Sequence, residues 1–172
     1  NVNANDSAVS KLNKAIKFTK KDDEKARYSF IKGQLQEQLM LKDSAYSTYQ
    51  SIIDMNRNAP RIYLMHAQIR QAFQKDFSKI DTIAFLEKYN KLLNDRENRP
   101  YLNILNHQLA LNYDQIKNTN QAVKYYKKSL TYKSEDAYLE ASNYRNLAKI
   151  YFDRNRYVTA GKFYDSTLTK LK

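Results

Sequence analysis

The stretch Tyr144-Arg-Asn-Leu147-Ala148-Lys-Ile-Tyr151, followed nine residues later by Ala160-Gly-Lys-Phe-Tyr164, decides the fold. Spacings of three and four put Tyr144, Leu147, Ala148 and Tyr151 on one helical face. A small residue on that face lets two helix backbones approach closely, and the aromatic beyond it fills the space beside the contact. The arrangement recurs upstream. Leu109-Ala110 and Tyr113 precede Ala122, Tyr126 and Ser129; Gly33 precedes Ala45, Tyr49 and Ile52; Ala72 precedes Ala84; and Ala8, Leu12 and Ala15 repeat the second half alone. Around Ala84 the stripe moves by one residue to Phe85, Tyr89 and Leu92, because Lys88 holds the aromatic's place. The anchors Ala8, Ala45, Ala84, Ala122 and Ala160 are spaced 37, 39, 38 and 38. A period of this size marks a repeat architecture, in which each unit is a helix pair that cannot bury its own apolar stripe and stacks on a neighbour.

Composition agrees with helices and removes other classes. The 172 residues contain two Gly, two Pro and no Cys. β-turns, bulges and glycine-rich phosphate loops draw on Gly, so barrels, sandwiches and dinucleotide folds are disfavoured. Absent Cys excludes a disulfide scaffold, a thiolate metal site and a thiol nucleophile. A mean hydropathy of −0.82 and the lack of a long apolar run exclude a helical membrane span. No signal-peptide pattern opens the sequence. With 42% hydrophobic and 13% aromatic residues, the chain has enough apolar mass for a core.

The expected layout is a single array over 1–172: a lone B helix within 1–19, then pairs over 23–57, 60–95, 99–132 and 135–171, about nine helices in all. Asp43-Ser44, Asn118-Thr119 and Ser134-Glu135-Asp136 are expected to cap helix starts, and Pro60 and Pro100 to occupy first turns. The link from Asp76 to Asp81, with Phe77 and Ile80, is expected to pack. The first stripe, Val9, Leu12 and Ile16, wants an A helix upstream, and no polar cap follows the last helix, so the array is expected to be a piece of a longer one.

No catalytic residue, cofactor site or metal site is expected. The two His are 41 residues apart, whereas a zinc site wants three or four ligands. No hydrolase or zincin motif occurs. Asp22-Asp23-Glu24 and Glu135-Asp136 sit at helix N-termini, where carboxylates favour the dipole. The 15 Tyr fall largely on the ladder, which assigns them to the seam rather than to a base- or glycan-stacking platform. The net charge of +12 is spread with interleaved acids, unlike the basic stripe of a nucleic-acid binder. Lys11, Lys14 and Lys17 line one side of the first helix, and Lys124, Lys127 and Lys128 cluster in a later one.

Tyr144-x2-Leu147-Ala148-x2-Tyr151…Ala160-x3-Tyr164 resembles the tetratricopeptide (TPR) pattern, with Tyr for Trp and Ala for Gly; the copy before it has Asn106 in the Trp place. The period exceeds the TPR value of about 34 by about four residues. The resemblance implies an all-α, TPR-like right-handed helical-hairpin solenoid with a concave groove lined by A helices. Groove candidates are Arg27, Phe30, Gln34 and Glu37; His66, Ile69, Phe73 and Asp76; Ile104, His107 and Leu111; and Arg145 and Lys149. An apolar middle with a basic end suits an extended or helical peptide carrying apolar anchors and acids. Arg145, Asn146 and Lys149 supply only part of the carboxylate clamp of co-chaperone TPRs.

Several stretches go further. Lys25-Ala-Arg-Tyr-Ser-Phe-Ile-Lys-Gly-Gln-Leu35, Asp43-Ser-Ala-Tyr46, Asp95-Arg-Glu-Asn-Arg-Pro100 and Ala141-Ser-Asn-Tyr-Arg-Asn-Leu147 together resemble the TPR region of the SprE/PorW lipoproteins, which serve type IX secretion and gliding motility in Bacteroidetes. The resemblance implies a periplasmic scaffold, an outer-membrane lipid anchor on a Cys outside this sequence, and protein partners in the secretion machine. It brings no functional residue set with it. The other reading is a TPR sensor or regulatory segment of a signalling or transcription-regulating protein.

Overall fold

The computed structural model describes residues 2–74 and 82–172, apart from the side chains of residues 2–4, 73 and 82–85. The expectations for Asp76, Phe77 and Ile80, and for the side chains of Phe73, Ala84 and Phe85, lie outside the described residues. Among the described residues all regular structure is helical: α1 (Val2–Phe18), α2 (Asp22–Gln38), α3 (Lys42–Asp54), α4 (Arg61–Phe73), α5 (Thr82–Asn94), α6 (Leu102–Gln115), α7 (Thr119–Leu130), α8 (Ala137–Asp153) and α9 (Tyr157–Lys170). Short 3-10 turns cover Asn56–Asn58 and Arg96–Tyr101. Backbone contacts fall into two compact units, Asn1–Leu92 and Leu93–Lys172.

In the first unit α1 packs on α2, α2 on α3, and α3 on α4, with α2 also touching α4. The core is the ladder itself: Ala26, Ala45, Tyr49, Ile52, Ala59 and Ala67 are buried together, and Phe30, Ile53, Met55 and Tyr63 pack around them. Gly33 leaves room for Tyr49 of α3 against α2, since a Cβ built there would lie 2.6 Å from Tyr49 Cε1. Burying each large apolar side chain of this kind contributes about 1.5–3 kcal/mol. Polar residues on the same seam pair with each other: Thr48 Oγ1 donates to Gln36 Oε1 at 2.7 Å.

In the second unit α6 packs on α7, α7 on α8 and α8 on α9. Ala110, Ala122, Tyr126, Leu147, Ile150, Tyr151 and Ala160 form its core, with Leu111, Val123, Leu130 and Phe163 against them. The Phe163 ring stacks on Tyr151 at 5.4 Å and lies near Tyr144 at 6.3 Å between centroids. This is why the seam prefers rings: offset stacks fill the wedge between two helices.

The turns from α2 to α3, α6 to α7 and α8 to α9 are built the same way. Met40, Lys117 and Asn155 are left-handed, at φ of 60°, 62° and 58°. Leu41, Asn118 and Arg156 then donate their amides back to the carbonyls of Gln36, Tyr113 and Tyr151, the Schellman closure of a helix end. The next helix begins at once, as Ala45, Ala122 and Ala160 donate to Leu41, Asn118 and Arg156. Ala45, Ala122 and Ala160 thus close the first backbone turn of α3, α7 and α9.

Caps follow the expectation in part. Asn118 Oδ1 accepts from the Gln121 amide and Asp136 Oδ1 from the Leu139 amide. At α3 the cap position is Leu41, whose apolar side chain cannot accept a hydrogen bond, and Asp43 sits instead in the first turn, where its charge favours the helix dipole. Pro60 is the cap residue of α4, one place before its first turn. Pro100 lies inside the 3-10 turn that leads into α6.

Candidate protein-binding surface

In the first unit α2 and α4 bring together Phe30, Glu37, His66 and Arg70. The Phe30 ring is 5.7 Å from both Tyr63 and His66, and the Arg70 guanidinium lies 5.8 Å above its face. Arg70 also pairs with Glu37 Oε2, while Gln74 Nε2 donates to Glu37 Oε1 at 2.7 Å. Burial, with the neighbouring Arg70 cation, lowers the His66 imidazole to about 4, so it is neutral near pH 7. Burial also raises the Tyr49 phenol, which lies beside the Glu37–Arg70 pair. Arg27 is exposed and Gln34 half-buried. Ile69 is 1% exposed, so it belongs to the core and not to an accessible surface. It lies on the packed face of α4, which also buries Leu64, Met65 and Ala67.

In the second unit the groove candidates separate. His107 is only 6% exposed and buried between helices. Its Nδ1 lies 2.8 Å from Asn143 Oδ1, whose Nδ2 donates to Ser129 Oγ at 2.9 Å, and Ser129 donates to the Asn103 carbonyl at 2.7 Å. Because the Asn143 amide nitrogen is committed to Ser129, its oxygen accepts, which fixes the proton on His107 Nδ1. Burial lowers the His107 imidazole below its ordinary range, opposed by the hydrogen bond to Asn143. His107 is therefore a neutral structural donor joining α6 to α8. Ile104 is half-buried, and Leu111 packs against the core. Arg145 and Lys149 are exposed on α8.

The helix-joining polar relay was not read from the sequence. Periodicity put His107 in the groove and gave Asn143 no role. The signal present was Ser129, which already sits at a ladder position two turns from Ala122.

The surface carries no described metal cluster: no group of three His, Asp or Glu among the described residues is placed to hold an ion. No helix among the described residues is long and apolar enough to cross a membrane. Tyr138, Tyr157 and Tyr164 are exposed, while Tyr49, Tyr89, Tyr126 and Tyr151 are buried.

No family model matches the sequence, and no curated protein matches it. Among solved structures, the crystal structure of MamA is similar at a TM-score of 0.56 over 96% of this chain and 88% of that one, with 14% sequence identity. At that identity the likeness is one of fold, and it agrees with the hairpins and ladder described above: the chain has an all-α, TPR-like fold.

Proposed function

We propose that the chain is a non-catalytic, protein-binding scaffold of the type IX secretion and gliding-motility machinery, working in the periplasm of a Bacteroidetes cell and held to the outer membrane by a lipid anchor outside this sequence. The observation that carries the scaffold reading is the TPR-like fold, with exposed side chains on its A helices, Arg27, Arg145 and Lys149 among them. TPR-like hairpins leave helix faces open to extended or helical peptides. The assignment to secretion rests on the sequence stretches 25–35, 43–46, 95–100 and 141–147. Those stretches include structural parts: Asn98 is fully buried, and the Asp95 side chain accepts from the Glu97 amide.

The test is deletion of the gene in its source bacterium, with cell fractionation of the full-length product. Loss of type IX cargo from the medium, loss of gliding, and recovery of the product in the outer-membrane fraction are the expected results. A full-length product that fractionates with the cytoplasm and carries a kinase or helix-turn-helix domain would overturn the assignment in favour of a sensor.

A further inference from the structure

The geometry points to the outer face of α7, within the second unit, as a docking surface for an anionic phospholipid membrane. Residues 115–134 contain Lys117, Lys124, Lys127, Lys128 and Lys133 and no Asp or Glu. All five lysines are exposed, although α6 and α8 both pack on α7. Their exposure therefore persists with the neighbouring helices in place. None of the five is in an ion pair among the described residues, whereas Lys21, Arg70 and Lys170 each have a carboxylate.

Helix chemistry alone does not ask for this arrangement. Lys124 stands three residues from Lys127 and four from Lys128, spacings at which like charges repel and a carboxylate would attract. Lys117 precedes the α7 N-terminus, the end of the dipole that disfavours a cation. Only Lys127 and Lys128, in the last turn, gain from the dipole. The repeat does not require lysine either: 77 residues earlier α3 carries Ser47, Gln50 and Ser51 at the places of Lys124, Lys127 and Lys128. The adjoining α8–α9 turn adds to the positive field. Lys127 Nζ and the Arg156 guanidinium lie 5.6 and 5.9 Å from the centre of the same Tyr151 ring, and Arg154 donates to Asn120 Oδ1 of α7 at 2.8 Å. Arg156 holds the place of Asn118, which is likewise exposed one hairpin earlier.

Chemistry selects the occupant. Every cation of the acid-free stretch is Lys. A hydrated point charge on a flexible stem gains from a diffuse anionic field, whereas capture of a single carboxylate or phosphate favours the Arg fork. Base stacking is closed off: Lys124 lies over the Tyr125 ring, which already stacks on Tyr113, and Tyr151 is 8% exposed beside its two cations. A bilayer rich in anionic lipid supplies the diffuse field, and each Lys or Arg near its surface adds to the attraction. Ile116, 49% exposed next to Lys117, places an apolar side chain at the rim. A second copy of this chain, at +12, would be repelled.

The test sediments the intact protein with sucrose-loaded vesicles, either pure phosphatidylcholine or an equal mixture with phosphatidylglycerol. Binding to the anionic vesicles should exceed binding to the neutral ones by about tenfold or more at low salt and fall as salt is raised. Lys124→Gln, Lys127→Gln and Lys128→Gln together should remove about tenfold or more of that binding, with an unchanged circular-dichroism melt. Lys124→Glu alone, at an exposed site, should also weaken binding and serves if the triple variant misfolds. Lys11→Gln, Lys14→Gln and Lys17→Gln together lower the net charge equally and should leave binding within about twofold, since they lie on α1. Equal binding to the two kinds of vesicle, no sedimentation with either, or equal losses in the two triple variants would overturn the proposal. So would a labelled oligoglutamate peptide or single-stranded oligonucleotide that binds the protein while the vesicles do not, which would assign the face to an acidic protein or a nucleic acid. None of these readouts depends on secretion or motility.

Discussion

Replacing Gly33 with Ala sets two opposed effects against each other in one methyl group. Ala is favoured over Gly in a helix interior by about 1 kcal/mol. The new Cβ, however, would stand 2.6 Å from Tyr49 Cε1 and 2.7 Å from Cζ, far inside the ~3.5–4.0 Å optimum for carbon pairs. Tyr49 cannot swing aside, because it is fully buried and Phe30 lies 6.0 Å from its ring. Overpacking of this kind costs about 1–3 kcal/mol, so the net change is a loss of about 1 kcal/mol. Gly161 is the internal control: it is helical and exposed, and nothing stands within 4 Å of its Cβ. There only propensity acts, and Gly161→Ala should gain about 1 kcal/mol. Guanidinium unfolding followed by circular dichroism should therefore move the two variants in opposite directions, about 2 kcal/mol apart. Adding Tyr49→Leu should make Gly33→Ala less costly than it is alone, a coupling that a double-mutant cycle reads. Refutation would come from a Gly33→Ala protein more stable than the parent, because the close approach of α2 and α3 would then not exist.

Three further outcomes follow from the same packing. His66, lowered to about 4 from an ordinary 6.5 by burial and then by Arg70, is resisted as a cation only in the folded chain; stability should be full above pH 6.5 and fall as pH drops toward about 4, and His66→Gln should flatten that part of a stability–pH profile, leaving the share of His107. Asn143→Ala should cost about 1–3 kcal/mol in denaturant unfolding, because it leaves His107 Nδ1–H buried without its acceptor. Ala148→Arg should lower the thermal melting point of the second unit sharply, since Ala148 is 0% exposed and burying a charged stem there is costly; unchanged melting would show that the helix register is misplaced.

Much of the fold was legible because the repeat writes the same physical need several times. Ala45, Ala122 and Ala160, chosen from spacing alone, are at most 1% exposed, Ala110 and Ala148 are 0% exposed, and Gly33 lies at a close contact with Tyr49. A small residue between helices has no substitute, so it persists where its neighbours change. The surface was less legible because it depends on which helix covers which residue. Arg27, Arg145 and Lys149 are exposed as a binding surface requires, whereas Ile69 and His107 are covered by neighbours that periodicity does not specify. Asn103, Asn106 and Asn143 are buried polar residues, at 7%, 0% and 1% exposure; the ladder put Asn106 in the Trp place and gave the other two no role. Their side-chain amide nitrogens donate to Ser134 in the α7–α8 connection, to the Leu102 carbonyl one turn back and to Ser129 on α7, placements that spacing alone does not specify.

The left-handed turns at Met40, Lys117 and Asn155 carry a consequence for how such a chain diverges. Three different side chains occupy a conformation that glycine adopts most easily. The bend between paired helices is therefore written in backbone hydrogen bonds, which side-chain changes other than to proline leave available. Duplicated copies can lose the aromatic or the polar letters of their pattern and still turn the chain through the same corner. Similarity between such proteins should thus outlast recognisable text, as the MamA likeness at 14% identity illustrates. A library that varies residues 40, 117 and 155 freely should retain many foldable members, while one that varies Ala45, Ala122 and Ala160 should retain few.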